Sequence, residues 1–451
     1  MEGFIMAGQL LLGLGLLVFI HELGHFLAAR AFGIKIEKFY IFFDFGDFVL
    51  FRKKIGDTEY GLGWFPLGGY VKIAGMIDES FDKEQLEQEP KDWEFRSKPA
   101  WQRFIVMMAG IFMNVIFGII IFAFWLSYYE KAYIAPKDIP EGIYAYSLGR
   151  ELGFQNGDLV ISIDGDSIER TRDFLQSNAL FFEPTISVLR KGELVNIELP
   201  HKLEVKFREA KTGFLGFENF PVVIDSVVMY KGIGKQKKKT IAHEIGLKKG
   251  DKLIGVNSVS TSVYGAFREE LINNRGTTVD LMVLRETDTL LLKAPLDSIN
   301  PKIGFLPHNP YIGKGTPYTF ASSIVFGTKE GFRAMLHNAI GLGQIFTGKR
   351  DASKSIQSPI GIARIYGGTW DWYRFWQLTG LISFILAFMN FLPIPALDGG
   401  HVMFIIIEVI QGKPVGEKTL ERAQIFGIVV IMALMLFAFG NDIYKLIFGT
   451  A

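Results

Sequence analysis

Three ionisable residues sit inside an apolar stretch long enough to cross a membrane, and this stretch constrains everything else about the chain. Residues 4–20 carry no charge, His21-Glu22-Leu23-Gly24-His25 follows, and Phe26-Leu27-Ala28-Ala29 continues the apolar character up to Arg30. A hydrocarbon core takes about 20 apolar residues to cross, and backbone at that depth has to be helical or closed. Ionisable groups are costly there and read as functional by default. On a helix, residues i and i+4 share one face, so His21 and His25 can grip one Zn²⁺ while Glu22 serves as the base acting on water. A pattern with two free positions also recurs by chance, and paired histidines can simply satisfy a core. Here two of only seven histidines fall in an uncharged span. The weight of the reading then rests on a partner motif.

Composition narrows the class. At 451 residues the chain has room for two to four domains. It is 49% hydrophobic with 41 Phe, too apolar for an ordinary soluble protein. Lys+Arg 48 against Asp+Glu 47 nearly cancel, so no nucleic-acid partner is expected. Zero cysteines exclude a disulfide scaffold and a thiolate site, so any metal must use His and carboxylate. The chain opens with Glu2 and no basic region, and its first apolar run carries the histidines, so a cleaved signal peptide is not expected.

Further apolar runs lie at 104–127, 375–391 and 425–439, and more than 200 mostly polar residues separate the second run from the third. The 402–410 run is too short to span and contains Glu408, which reads as a buried or partial helix. Basic residues follow span one (Arg30, Lys35, Lys38, Arg52, Lys53, Lys54), precede span two (Lys98, Arg103) and separate spans three and four (Lys413, Lys418, Arg422). The positive-inside rule makes these loops cytoplasmic and puts both termini and the insert outside. The insert's lysines at 235–239 read as a solvated loop.

Inside the insert, Gly153-Phe154-Gln155-Asn156-Gly157-Asp158 running on to Asp164-Gly165 recurs roughly ninety residues later as Gly246-Leu247-Lys248-Lys249-Gly250-Asp251 running on to Asn257-Ser258. Downstream, Val188-Leu189-Arg190 matches Val283-Leu284-Arg285. Each copy reads as a Gly-Asp turn, a strand, a helix and a paired hairpin, a duplicated domain. The pattern resembles PDZ domains of bacterial proteases, which bind peptides by adding a strand to a sheet edge. A rigid spacer is the alternative.

The partner motif stands after span three: Asn390-Phe391-Leu392-Pro393-Ile394-Pro395-Ala396-Leu397-Asp398-Gly399-Gly400-His401. Two prolines break the helix at membrane depth, which is tolerable only where the freed backbone faces protein or a watery cavity. Asp398 is expensive there unless it meets a cation, and a Zn²⁺ held by His21 and His25 is one. A helix-capping Asp is the bland alternative.

Together, HELGH and N-x-x-P-x-P-x-L-D-G-G-H resemble the site-2 protease family of intramembrane metalloproteases over essentially the whole chain, and the duplicated insert resembles its tandem-PDZ subgroup. The resemblance implies one zinc per chain with His21, His25 and Asp398 as ligands and Glu22 as catalytic base. It implies Asn390, Pro393 and Pro395 as substrate-contacting or site-shaping, with His401 outside the ligand set. It implies single-span membrane proteins as substrates, anti-sigma factors or remnant signal peptides, in a bacterial inner membrane with the active site toward the cytoplasm. Residues 36–74, with alternating Phe39, Ile41 and Phe43, resemble the family's membrane-associated β region. Gly110 and Asn114 resemble its G-P-x-x-N element with Ile111 in place of proline, and Ser358-Pro359-Ile360 a G-P-I element with Ser for Gly.

The expected fold is a polytopic α-helical membrane protein with four transmembrane helices, a membrane-associated β-hairpin region and two soluble PDZ-like α+β domains. The divisions are 1–34, span one; 35–99, the β region; 100–128, span two; 129–205 and 206–310, the PDZ-like pair; and 311–372, an amphipathic gating linker. Span three follows at 373–401, then a short helix and loop at 402–424 and span four at 425–451. The rival classes are a peptide-tethering scaffold with structural zinc, which has no use for Glu22, and a zinc transporter, which would need further intramembrane ligands.

Overall fold

The computed structural model describes residues 2–44, 46, 48–66, 68–76, 89–130, 132–171, 174, 184–200, 206, 213–231, 238–311, 315–348 and 358–448. Lys235 and Lys237 of the lysine run and the segment 349–357 lie outside these residues, while Lys238 and Lys239, expected in a loop, pair antiparallel with Lys231 and Tyr230. The chain divides into two compact units, Met1–Lys131 with Thr319–Ala451, and Ala132–Tyr318.

The first unit is built on helices α1 (Glu2–Ala31), α2 (Ala100–Trp125, continued by a π turn over Leu126–Glu130), α3 (Phe320–Phe346), α4 (Pro359–Tyr366), α5 (Trp372–Phe391), α6 (Asp398–Gln411) and α7 (Glu417–Phe448). Among the described residues three stretches are long and apolar enough to cross a membrane: α1, α2 with its π turn, and Lys418–Tyr444 of α7. The expected third span, α5, has 20 residues but begins with Arg374 and Gln377 in its first turns. Their outer faces are apolar, as at Leu12, Phe112, Ile120 and Val429, which is surface that lipid would cover.

Glycines let these helices approach closely. A Cβ on Gly24 of α1 would lie 2.4 Å from the Ala109 carbonyl oxygen of α2. One on Gly331 of α3 would lie 2.0 Å from the Phe384 ring of α5, so α3 packs on α2 and α5 through a Gly327/Gly331 face. The stretch expected as an amphipathic linker thus includes a 27-residue helix built into the bundle.

Between α1 and α2 the chain forms a mixed four-stranded sheet in place of a simple hairpin. Strands β1 (Ile36–Ile41), β2 (Val49–Ile55), β3 (Thr58–Gly63) and β4 (Tyr70–Ile73) lie in the order β2-β3-β1-β4. β1 runs parallel to β3 and antiparallel to β4. Ile36, Phe39, Val71 and Ile73 share a core with Ala29, Val106 and Ile111, so the β1/β4 half of the sheet is packed on α1 and α2.

The second unit contains two four-stranded sheets of the same design. In the first, β5 (Leu159–Ile163), β6 (Asp166–Ser167), β7 (Thr185–Arg190) and β8 (Glu193–Glu198) are ordered β8-β7-β5-β6. In the second, β9 (Lys252–Val256), β10 (Val259–Ser260), β11 (Thr278–Arg285) and β12 (Asp288–Pro295) are ordered β10-β9-β11-β12. The helix between hairpins is Tyr264–Asn273 in the second copy. Its equivalent in the first falls largely outside the described residues.

The two motifs matched between copies turn out to be partners. Arg190 Nε and Nη2 each stand 2.8 Å from Asp158, and Arg285 Nε and Nη2 each stand 2.7 Å from Asp251. Both carboxylates are buried, and each accepts a backbone N–H at its own turn, from Gln155 and Lys248. Burial pushes the Asp251 carboxyl up, but the Arg285 guanidinium and the Lys248 N–H outweigh it and hold it below its ordinary value. Removing the cation strands a buried charge, so Arg285→Ala is expected to destabilise the second sheet by about 3 kcal/mol. Hydrogen exchange of the β9 amides in the full-length protein reads this. A depressed carboxylate stabilises above its unfolded pKa and loses that stabilisation as pH falls through the folded one. The difference between wild type and variant is therefore full at neutral pH and shrinks below about pH 4.

Glu269, on the second copy's helix, ties the copies together. It accepts from Tyr144 (2.7 Å), the Ser147 backbone N–H (3.0 Å) and both ends of the Arg150 guanidinium (2.9 and 3.0 Å).

Candidate metal centre

Helix α1 presents His21 and His25 on one face, and the break between α5 and α6 brings Asp398 to the same point. Asp398 Oδ2 lies 3.2 Å from His21 Nε2 and 3.4 Å from His25 Nε2, and the two Nε2 atoms are 3.2 Å apart. Among the described residues this is the one cluster of three such groups whose donor atoms all lie within 4.8 Å of each other.

The lone pairs, not the charges, identify what the cluster is for. His25 Nδ1 donates to the Val106 carbonyl oxygen at 2.9 Å, so its Nε2 carries a lone pair. Asn390 Nδ2, which has no lone pair to offer, lies 3.3 Å from His21 Nε2, so that nitrogen bears a lone pair and the ring proton is on Nδ1. Asn114 stands at that Nδ1. As placed, its Nδ2 is 3.2 Å away while its buried Oδ1 has no partner. Turning the amide by 180° gives Nδ1–H an acceptor, and amide orientation is assigned from such networks. Asp398 Oδ2, also buried, makes no hydrogen bond. Two imidazole lone pairs and an orphaned carboxylate oxygen pointing at one another repel unless a cation sits among them. Two His and one carboxylate with room for water is a catalytic zinc donor set. The residues fit the metal.

The surroundings hold these ligands in place. Gly110 passes beneath them so closely that a Cβ there would lie 2.2 Å from His25 Nε2. Ser383 Oγ donates to the Asn114 carbonyl oxygen at 2.7 Å, linking α5 to α2 at this level. The loop before Asp398 turns through Ala396 at φ 84°. This left-handed conformation is strained for a residue with a Cβ. Gly399 and Gly400 allow the next turn, since a Cβ on either would meet loop carbonyl oxygens at 2.4 Å.

Glu22 is buried beside the histidines, and the Val71 backbone N–H of β4 donates to its carboxylate. β4 has β1 on one side only, so its other edge is unpaired within the sheet.

The structure thus brings together His21, Glu22, His25, Asn390 and Asp398. Pro393 is exposed, Pro395 lines an adjoining cavity of about 260 Å³, and His401 lines that cavity too, outside the donor set. Asn114 and Gly110 had a sequence signal only in their spacing. The Val106 carbonyl and the Val71 N–H had none, because every residue carries these groups.

Comparison with known proteins gives the family. The profile of peptidase family M50 matches residues 9–434. The chain is 29% identical to the Regulator of sigma E protease of Haemophilus influenzae over 97% of its own length and 98% of the relative's. It is 28% identical to the Regulator of sigma-E protease RseP of Escherichia coli, with the same coverage. It is 27% identical to Protease RseP of Yersinia pestis, again over 97% and 98%. A match across nearly the whole chain, together with a His-His-Asp donor set and an adjacent glutamate, makes this protein a member of peptidase family M50, the site-2 protease family of zinc metalloproteases.

Proposed function

We propose that this protein hydrolyses peptide bonds within the membrane-spanning segments of single-span proteins, with His21, His25 and Asp398 as zinc ligands and Glu22 as general base. The observation that carries the reading is the trio of mutually facing lone pairs at Nε2, Nε2 and Oδ2, with the Glu22 carboxylate beside it. Zinc, when bound, supplies a Lewis acid that acidifies water and polarises the scissile carbonyl. Glu22 takes the proton from water and returns it to the leaving amine. Val71 N–H holds the carboxylate in place, and Asn114 and Val106 fix the tautomers of the two histidines. Asn390, already at hydrogen-bond distance from His21, is placed to hold substrate backbone.

Depth supports intramembrane cleavage. Gly110 lies nine residues from Trp101 along α2, about 14 Å by helix rise, and Trp101 is the exposed aromatic at the basic end of that span. On this reading the metal lies in hydrocarbon toward the cytoplasmic side, α5 serves as span three of four, and the insert 132–318 lies on the outer face of a bacterial inner membrane. A helical substrate shields its peptide bonds, so it must unwind. The free edge of β4, where Val71 already points at Glu22, can receive the unwound segment as an added strand.

The insert is read as a PDZ-like pair that screens or binds peptides. In support, a cavity of about 580 Å³ lies within it, lined by Ile134, Phe217, Phe220, Tyr264 and Tyr311, with Arg268 paired to Glu218 at its wall. Anti-sigma factors and remnant signal peptides are the substrate classes to try first, the former because the relatives are named as sigma-E regulators.

The test is a purified full-length protein in liposomes with a tagged single-span substrate. Cleavage inside the span is expected, ceasing on treatment with a zinc chelator and returning on added zinc. Cleavage only outside the span, or cleavage indifferent to chelation, would overturn the reading.

A further inference from the structure

Helix α7 touches the bundle along one narrow stripe. Among its residues of described burial, Gln424, Gly427, Ala438 and Asp442 are buried, and spacings of three, eleven and four put all four on one helical face. The two ends of the stripe do different things. At the far end, Asp442 accepts from the Ser358 backbone N–H at 3.3 Å and from its hydroxyl, which docks α7 on the start of α4. At the near end, Gly427 lies against the loop that carries Asp398. A Cβ on Gly427 would fall 1.5 Å from the Pro395 carbonyl oxygen and 2.3 Å from the carbonyl carbon.

No side chain can occupy that space. A glycine inside an otherwise continuous helix costs about 1 kcal/mol relative to alanine, and here the close approach accounts for it. The loop it touches is the strained one: Ala396, at φ 84°, follows Pro395 directly and stands two residues before Asp398. Beside this contact the loop borders the 260 Å³ cavity, whose lining takes in Pro395, Ala396 and Gly400 together with Leu420 and Gln424 of α7, so Gly427 is where α7 closes onto the loop. The Pro395–Ala396 peptide is thus held between Gly400 of α6, where a Cβ would lie 2.7 Å from the Pro395 Cα, and Gly427 of α7.

We propose that Gly427 is a positioning residue for the metal: α7 packs its backbone on the Pro395–Ala396 peptide and so sets where Asp398 Oδ2 lies relative to the two histidines. The proposal rests on Asp398 being a zinc ligand.

The test compares Gly427→Ala, Gly440→Ala and Asp398→Asn in the purified full-length protein in detergent. Gly440 lies on the same helix with no atom within 4 Å of a Cβ built there, so both alanine variants gain the same helix propensity and differ only in the loop contact. Zinc affinity is read by competition with a graded chelator, and ligand geometry by the visible absorption of the cobalt-substituted protein. Gly427→Ala is expected to weaken zinc about 10–100-fold and to shift the cobalt bands, as loss of a ligand's support does. Gly440→Ala is expected to match wild type. Wild-type affinity and spectrum in Gly427→Ala, with zinc weakened in Asp398→Asn, overturn the proposal and leave the ligand assignment standing. Wild-type affinity in Asp398→Asn overturns the ligand assignment itself. Should Gly427→Ala not fold, Gly427→Ala/Ala396→Gly replaces it, because a glycine lets the loop withdraw. Weakened zinc in that double variant supports the proposal, and wild-type affinity overturns it.

Discussion

Glu22→Gln is expected to abolish cleavage of a single-span substrate while leaving zinc bound at one per chain. Glutamine keeps the size of glutamate and can still accept the Val71 N–H through its carbonyl oxygen, so the local fold has no reason to change. What it loses is the ability to take a proton. General-base catalysis is worth up to about 10⁴-fold, and a loss of that size corresponds to roughly 5.4 kcal/mol in the barrier. Three measurements separate the explanations: turnover in liposomes, zinc content by metal analysis, and substrate capture by crosslinking. Lost turnover with zinc and capture intact identifies Glu22 as the proton carrier. Lost zinc would instead make Glu22 part of the metal's support. Retained turnover would remove Glu22 as the general base.

What the sequence made legible follows from where chemistry is expensive. His21, Glu22, His25 and Asp398 stood out because ionisable groups at membrane depth need a reason, and their spacing supplied one. The repeat was legible for a similar cause. Its Gly-Asp and Val-Leu-Arg matches mark the two halves of a buried ion pair, and the pair explains why both copies carry both motifs. The parallel pairing of β1 with β3 was not legible, since alternation gives a strand its faces but not its neighbours. Nor was the seating of α3. Its apolar stripe reads equally well as a surface helix, and only the Gly327/Gly331 spacing hinted at a close helix contact. The backbone groups of Val106 and Val71, which orient His25 and Glu22, have no letter of their own.

Gly110→Ala is expected to lose both zinc and cleavage in one step, although it adds a single methyl group and touches no ligand in the sequence. The new Cβ would lie 2.2 Å from His25 Nε2 and 2.8 Å from His21 Cε1, well inside any allowed contact. Neither side can yield cheaply. His25 is held by its Nδ1 bond to the Val106 carbonyl oxygen, one helical turn before Gly110 on the same helix, so ring and methyl share a rigid frame. Helix α2 cannot slide away, because Gly24 of α1 sits against Ala109 and Gly110 just as tightly. The ring must therefore leave the donor set, and a two-ligand remnant holds zinc far more weakly than the three. Alanine is the better helix former by about 1 kcal/mol, so a purely local view forecasts a folded and slightly more stable protein. Zinc titration together with thermal unfolding of the metal-free form distinguishes the two. Unchanged zinc affinity in Gly110→Ala would mean that the histidines meet their metal from a different side than Oδ2 of Asp398 indicates. Lost affinity with unfolding preserved would make the floor of the site as much a part of the metal centre as its ligands.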